Sequence, residues 1–218
     1  MNDQQIHHAI RILRREVPKW NTPIVTLMAE TYRSPFRVLI SCILSLRTQD
    51  ATTAKASHRL FAVADSPNAM LKLTVKKIER LIYPVGFYKT KAKNILDICA
   101  TMIDQYGGKV PDDLDELLKL KGVGRKTANL VVTLGYHKPG ICVDTHVHRI
   151  SNRWGFVQTK TPEKTESALR EKLPKRYWIE YNDLLVSFGQ HLCRPISPHC
   201  SQCPVEQYCR RVGVTMRR

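Results

Sequence analysis

The chain has 218 residues, of which 43% are hydrophobic and 25% charged, a globular balance that excludes a disordered tail. Its 35 Lys and Arg residues against 19 Asp and Glu give a formal net charge of +16, which favours a nucleic-acid partner over an acidic protein or a membrane surface. No run approaches the roughly 18 apolar residues of a spanning helix, and no secretory signal opens the chain. The sequence therefore predicts an intracellular protein without membrane contact.

The first half of the chain shows helical spacing of its apolar residues. An N-terminal helix is predicted to end at Pro18, and its apolar face is formed by Ile6, Ile10, Leu13 and Val17. Residues 38–46 are apolar on nearly all sides, which is typical of a helix at the centre of a bundle. Ser66 followed by Pro67 predicts the capped start of a short helix.

The second half continues the same pattern. Apolar residues recur every three or four positions over 88–106, and Gly107 stops that helix. Residues 111–113 (Pro-Asp-Asp) predict the start of the next helix, with acidic residues in its first turn. A later helix is bracketed by 161–174, and 177–191 is the last long one. No sustained period-two alternation occurs, so the predicted fold class is all-α.

A glycine-bent turn lies between two predicted helices. Gly122 and Gly124 can adopt positive φ angles at no steric cost, so the chain can turn sharply there. Backbone N–H groups in such a turn, followed by a helix N-terminus, suit a phosphate. Lys126 falls in the first turn of the following helix, where the positive end of the dipole disfavours its ammonium. A free lysine amine is a nucleophile that forms Schiff bases.

An aspartate follows the apolar stretch after this turn. Asp144 precedes Thr145 and His146, and aspartate is a preferred N-cap, so Asp144 is predicted to begin a helix. A carboxylate there can also serve as a general base or stabilise positive charge. The two roles are compatible.

Four cysteines crowd the C-terminal region, separated by six, two and five residues: Cys193, Cys200, Cys203 and Cys209. In a reducing compartment this spacing favours a metal over disulfides. A tetrahedral zinc ion and a [4Fe–4S] cluster both fit four thiolates. The remaining Cys42, Cys99 and Cys142 lie in apolar surroundings and are predicted to be buried.

Residues 120–129 together with 143–149 resemble the helix-hairpin-helix and Gly/Pro-Asp signature of the endonuclease III family of DNA glycosylases. The resemblance runs from about Ile6 to Cys209. In that family the lysine is the nucleophile and the aspartate 18 residues on is its partner, which implies these roles for Lys126 and Asp144. The unequal cysteine spacing also matches the family's cluster loop, so the resemblance implies a [4Fe–4S] cluster held by loop 193–209.

The same resemblance implies two helical lobes with the active site in the cleft between them. A six-helix lobe is expected at 28–138 and carries the helix-hairpin-helix at about 112–135. A second helical lobe is expected from 1–27 plus 139–218, with the cluster loop.

Contacts with DNA also follow from the resemblance. The hairpin turn is expected to grip a phosphate through Gly122, Val123, Gly124 and Arg125, and further contacts are expected from Arg47, Phe87, Lys91 and His146. Arg47 stands where many relatives carry glutamine, yet arginine can still stack on bases and donate hydrogen bonds. Phe87 would be an apolar wedge, and the alternative for its ring is core packing.

The implied activity is that of a bifunctional DNA repair enzyme acting on double-stranded DNA with damaged bases or abasic sites. It would excise oxidised pyrimidines through a lysine Schiff base, cleave the strand 3′ to the abasic site by β-elimination, and act as a monomer. One alternative is a monofunctional adenine or thymine mismatch glycosylase on the same scaffold; enzymes of the adenine type generally lack the hairpin lysine. The other is a non-catalytic DNA-binding iron–sulfur protein, which would not need Lys126 together with Asp144.

Overall fold

The computed structural model describes residues 1–20, 26 and 34–218. Eleven α-helices and no strand lie within these residues, so the all-α prediction is confirmed. The helices are α1 (Asp3–Glu16), α2 (Pro35–Ser45), α3 (Asp50–Phe61), α4 (Pro67–Leu71), α5 (Val75–Ile82), α6 (Tyr88–Tyr106), α7 (Leu114–Lys119), α8 (Arg125–Leu130), α9 (Thr145–Arg153), α10 (Pro162–Lys172) and α11 (Trp178–His191). None of the described helices has the length and apolarity needed to cross a membrane.

The chain folds as two compact units. One is Ile24–Lys138, and the other combines Met1–Pro23 with Pro139–Arg218. The boundary expected between residues 27 and 28 lies outside the described residues.

The Ile24–Lys138 unit is built around α2. Its residues from Val38 to Leu44 are all buried, which confirms the prediction of a central helix. Ser34 caps its N-terminus through Oγ, which accepts from the backbone N–H of Arg37 at 3.4 Å. The helix lies against α3, α6 and α8, and α8 continues directly into a π-helical turn at Val131–Gly135.

The other unit buries the apolar face of α1 against helices from the far end of the chain. Ile6, Ile10, Trp154 and Phe188 share one hydrophobic core. Helices α9, α10 and α11 supply most of the remaining core residues. Removing these side chains from water is the main free-energy gain that holds this unit together.

Helix ends agree with the sequence in most places and differ at one. Ser66 caps α4, and Gly107 ends α6 with a left-handed φ of 58°. Helix α7 begins at Leu114, later than expected, because the Asp113 carboxylate accepts from the N–H groups of residues 115 and 116. Pro111 and Asp112 therefore precede the helix, and the prediction that they begin it was wrong.

Candidate functional site

The predicted hairpin is formed by α7, a turn at residues 120–124, and α8. Gly122 has a φ of +78°, a left-handed conformation that favours glycine, and an added Cβ would stand 2.9 Å from Nδ2 of Asn94. Gly124 has a φ of −98° and is the N-cap of α8. Of these two glycines, Gly122 takes the positive φ and is the one that needs to be glycine on conformational grounds.

Two residues of helix α6 contact the turn of the hairpin. Nζ of Lys121 lies 2.6 Å from Oδ2 of Asp97, and Asn94 one turn earlier lies against Gly122. Both α6 residues belong to the 88–106 helix that the sequence predicted, yet their role was missed. Their spacing of three residues places them on one face of the helix, which is the signal that could have revealed it.

Lys126 is the second residue of α8, and its side chain is exposed. Arg125 before it is also exposed, whereas Thr127–Leu130 are buried and fix the helix to the unit. Beneath this turn, burial raises the pKa of the Cys42 thiol to about 12, and the positive charge of Lys126 acts in the opposite direction. The first turn of a helix has N–H groups without acceptors in the helix, which suits an anion.

The structure brings Arg47 and Phe87 together. The Arg47 guanidinium carbon lies 5.6 Å from the centre of the Phe87 ring, a cation–π contact. Both residues have left-handed backbones, with φ of 52° and 57°. The Phe87 side chain is 62% exposed, so the alternative of core packing is wrong.

Lys91 differs from the other predicted DNA contacts because its side chain is internal. Only 6% of it is exposed, and Nζ donates to the carbonyl oxygens of Leu44 at 2.9 Å and Leu46 at 2.6 Å. Oγ1 of Thr48 lies 3.4 Å from the same nitrogen. Burial lowers the pKa of Lys91 to about 8. An ammonium placed in this way holds a protein loop.

Asp144, in the other unit, is the N-cap of α9, which confirms that prediction from the sequence. Its Oδ1 accepts from the backbone nitrogens of His146 at 2.8 Å and Val147 at 2.9 Å. The residue is 9% exposed. The carboxylate is therefore held rigidly by the start of the helix, close to the helix's positive end.

His146 and Arg149 form one contact on α9. Nη2 of Arg149 lies 3.1 Å from Nδ1 of His146 and donates to the carbonyl of Cys193 at 2.8 Å. Burial lowers the pKa of Arg149. A Cβ added to Gly189 would collide with the ring of His146, so glycine allows this close packing. His146 is thus anchored within its own unit.

The four C-terminal cysteines are gathered in one region of the same unit. Burial, together with negative charge on Cys193, Cys209 and Cys200, raises the pKa of Cys203 to about 12, so the four sulfurs interact electrostatically. Arg153 donates from Nη1 to Sγ of Cys193 at 3.5 Å. Among the described residues, no three His, Cys, Asp or Glu side chains stand close enough to hold one metal ion.

The donor set of this loop nevertheless fits a thiolate-bound cluster in its chemistry. The four thiols are free, and the backbone N–H of Arg211 donates to Sγ of Cys209 at 3.4 Å. N–H donors and arginines beside sulfur stabilise negative charge on thiolates. Cys42, Cys99 and Cys142 are buried, as predicted, and take no part in this loop.

Comparison with known proteins agrees with these features. Residues 40–175 match the model of the HhH-GPD superfamily of base excision DNA repair proteins. The chain is 50% identical to endonuclease III of Thermotoga maritima over 80% of this chain and 82% of that protein, and 37% identical to endonuclease III of Escherichia coli over 82% and 84%.

A solved structure agrees as well. A trapped endonuclease III–DNA covalent intermediate superposes with a TM-score of 0.85 at 37% identity, over 97% of each chain. With its helical fold, its glycine-bent hairpin and these similarities, the chain belongs to the endonuclease III family, the DNA glycosylases and AP lyases of the HhH-GPD superfamily.

Proposed function

We propose that this glycosylase/AP lyase excises oxidised pyrimidines from double-stranded DNA, with Lys126 as its nucleophile. The observation that carries the proposal is the placement of Lys126, exposed in the first turn of a helix that directly follows the Gly122 turn. A phosphate held by the turn would bring the sugar of the damaged nucleotide near the amine. The net charge of +16 supports binding to a polyanion.

The chemistry of a lysine amine then leads to strand cleavage. The lone pair on Nζ of Lys126 forms a bond to C1′ as the bond from C1′ to the base breaks, and the base leaves with the bonding electrons. The sugar ring opens to give an iminium ion joined to the lysine. Removal of a proton from C2′ and loss of the 3′ phosphate complete β-elimination, which cleaves the strand 3′ to the lesion. Water then hydrolyses the carbon–nitrogen bond at C1′, which releases an unsaturated aldehyde and frees the Lys126 amine.

Asp144 is assigned to the same reaction. Its carboxylate helps deprotonate Lys126 or stabilises the positive charge that develops on the sugar. The rigid attachment of this carboxylate to the start of α9 supports the role, because a fixed charge needs no reorganisation during the reaction.

The DNA contacts are divided among two groups of residues. The hairpin contacts the phosphate backbone through Gly122, Val123, Gly124 and Arg125, and His146 adds a further contact. Arg47 and Phe87 enter the base stack when the damaged nucleotide is extruded, since the vacated space needs a filler. The enzyme acts as a monomer, as one chain provides all of these residues.

Cys193, Cys200, Cys203 and Cys209 would hold a [4Fe–4S] cluster. Bound to the four thiolates, the cluster would tie the 193–209 loop together and thereby order its basic residues for phosphate contact. The chemistry of the reaction stays with Lys126 and Asp144.

The test is borohydride trapping on a duplex that holds one abasic site. The wild-type protein is expected to form a covalent adduct and to cleave the strand. Lys126→Ala should form no adduct and no cleaved product, while its DNA affinity falls only modestly. Lys119→Ala, which removes an exposed lysine from α7, should keep both reactions.

The alternatives predict different results in this experiment. A monofunctional mismatch glycosylase would release a base without an adduct, and a non-catalytic iron–sulfur protein would bind the duplex unchanged. Cleavage by Lys126→Ala at the wild-type rate would refute the nucleophile assignment.

A further inference from the structure

Two turns of the Ile24–Lys138 unit, residues 46–48 and 84–87, carry the exposed residues Arg47 and Phe87 in strained backbone conformations. Each has a positive φ, a backbone conformation that residues other than glycine rarely adopt. Such conformations persist only where the surrounding structure fixes them, and they concentrate at functional sites. The contacts that fix these two backbone conformations therefore influence how the side chains of Arg47 and Phe87 would enter the base stack.

Lys91 fixes the first turn from inside. Helix α2 ends at Ser45. The last carbonyl groups of a helix receive no hydrogen bond from an N–H group of the same helix, so they need another donor. Nζ of Lys91 donates to the carbonyls of Leu44 and Leu46, and it lies within reach of the Thr48 hydroxyl. These partners lie on both sides of Arg47 in the sequence, so one side chain holds the whole turn that presents Arg47.

Thr48 and Gly86 join the first turn to the second. The backbone N–H of Gly86 donates to Oγ1 of Thr48 at 3.1 Å. A Cβ at position 86 would stand 2.6 Å from the carbonyl oxygen of Arg47, closer than real Cβ atoms come to backbone. The two turns thus pack backbone against backbone, directly beneath the Arg47–Phe87 contact.

The burial of Lys91 carries a cost that points to a role beyond stability. Within the described residues its hydrogen-bond partners are two carbonyls and one hydroxyl, all of them neutral. A buried cation without a carboxylate partner opposes folding, and its lowered pKa reflects this. A buried lysine that carries this cost fits a site where geometry matters more than stability.

We infer that Lys91 is a positioning residue for base extrusion, which holds Arg47 and Phe87 in one preformed arrangement before DNA binds. Resting on the proposed function, this inference adds the reason why the two side chains enter the stack together. A preformed pair needs no ordering of either turn at the moment of insertion, so more of the binding free energy is available to unstack the damaged base.

The experiment compares Lys91→Met with the wild type on two substrates. One duplex carries an oxidised pyrimidine, which must be extruded, and the other carries a preformed abasic site, which has no base to extrude. We expect kcat for base excision to fall about tenfold to a hundredfold, as for other misplaced site groups, while abasic-site cleavage stays within about threefold. KM should change little, because a buried ammonium does not contact phosphate.

A fluorescent base supplies a second measurement that is independent of chemistry. With 2-aminopurine placed opposite the lesion, insertion of Arg47 and Phe87 unstacks the probe and raises its emission. Lys91→Met should give a smaller rise at saturating protein. Lys72→Met removes a charge from an exposed position after α4 and should match the wild type in both measurements.

Thr48→Val provides a second variant in case Lys91→Met does not fold. It removes the hydroxyl that links Gly86 to the first turn but leaves Lys91 in place, and it should show the same selective loss to a smaller degree. An unchanged ratio of excision to abasic-site cleavage in either folded variant, with normal fluorescence, would overturn the inference. Loss of the borohydride adduct in the wild type would instead contradict the proposed function and this inference with it.

Discussion

Oδ1 of Asp144 lies 2.9 Å from the backbone nitrogen of Val147, three residues further along the chain. The same oxygen accepts from His146, so the carboxylate that we assign to the reaction is also the cap of α9. The structural role and the chemical role can be separated by substitution, since asparagine also caps helices well but carries no charge.

We expect Asp144→Asn to keep the stability of the wild type within about 0.5 kcal/mol because the cap is preserved. Its strand cleavage should fall strongly, since the charge is lost. Asp144→Ala should lose activity as well and, in addition, about 1 kcal/mol of unfolding free energy. Denaturant unfolding and single-turnover cleavage measure the two effects. Equal activity of the asparagine variant and the wild type would leave Asp144 with a capping role only.

The two hairpin glycines should respond differently to alanine. Gly122→Ala forces a positive φ on a residue with Cβ and is expected to cost about 1 kcal/mol, which lowers the melting temperature by about 2–4 °C in a chain of this size. Gly124→Ala is the matched control, since its φ is ordinary and no atom lies within 4 Å of the added Cβ. Equal melting temperatures for the two variants would contradict the conformation assigned to Gly122.

Lys91 should make stability depend on pH in the alkaline range. Its pKa is about 8 in the folded protein against 10.5 ordinarily, so the unfolded chain binds more protons between these values. The contribution of this lysine to unfolding free energy therefore rises from about pH 8 to about pH 10.5 and is lost again as the pH falls through 8. The difference between wild type and Lys91→Met, measured by denaturant unfolding across this range, isolates that contribution. A difference in unfolding free energy that does not change with pH would contradict the lowered pKa of a buried Lys91 ammonium.

Cysteines inside and outside the 193–209 loop should behave differently on substitution. If the proposed cluster is bound, Cys200→Ser should lose its visible absorbance and iron and much of the protein's solubility, because one of the four proposed thiolate ligands is gone. Cys99→Ala, buried in α6, should retain iron and absorbance. Normal folding of Cys200→Ser without metal would count against a structural cluster.

Sequence patterns predicted several helix ends because caps and periodicity are local, but they gave no bounds for α3 (Asp50–Phe61) or α5 (Val75–Ile82). Ser66, Gly107 and Thr161 all stand at helix ends where their side chains or backbone angles serve that purpose. Which of the two glycines takes the positive φ could not be predicted from the local sequence, since both residues can adopt it at no steric cost.

The burial of Lys91 could be predicted only in part from the sequence. Its burial depends on a turn more than forty residues earlier in the chain, which no local pattern describes. Yet Lys91 lies three residues after Tyr88 and four before Ile95, on the apolar face of α6. A lysine on the buried face of a helix needs internal acceptors, and that expectation was available from the sequence.

The order of the helices along the chain has a consequence for biosynthesis. Helix α1 leaves the ribosome before the residues that cover its apolar face. The core around Ile6 and Ile10 contains Trp154 and Phe188, and the amino group of Met1 donates to the carbonyl of Trp154 across 153 positions. During translation the apolar face of α1 therefore stays exposed while the whole Ile24–Lys138 unit is synthesised and can fold. Chaperone contact during translation should concentrate on α1.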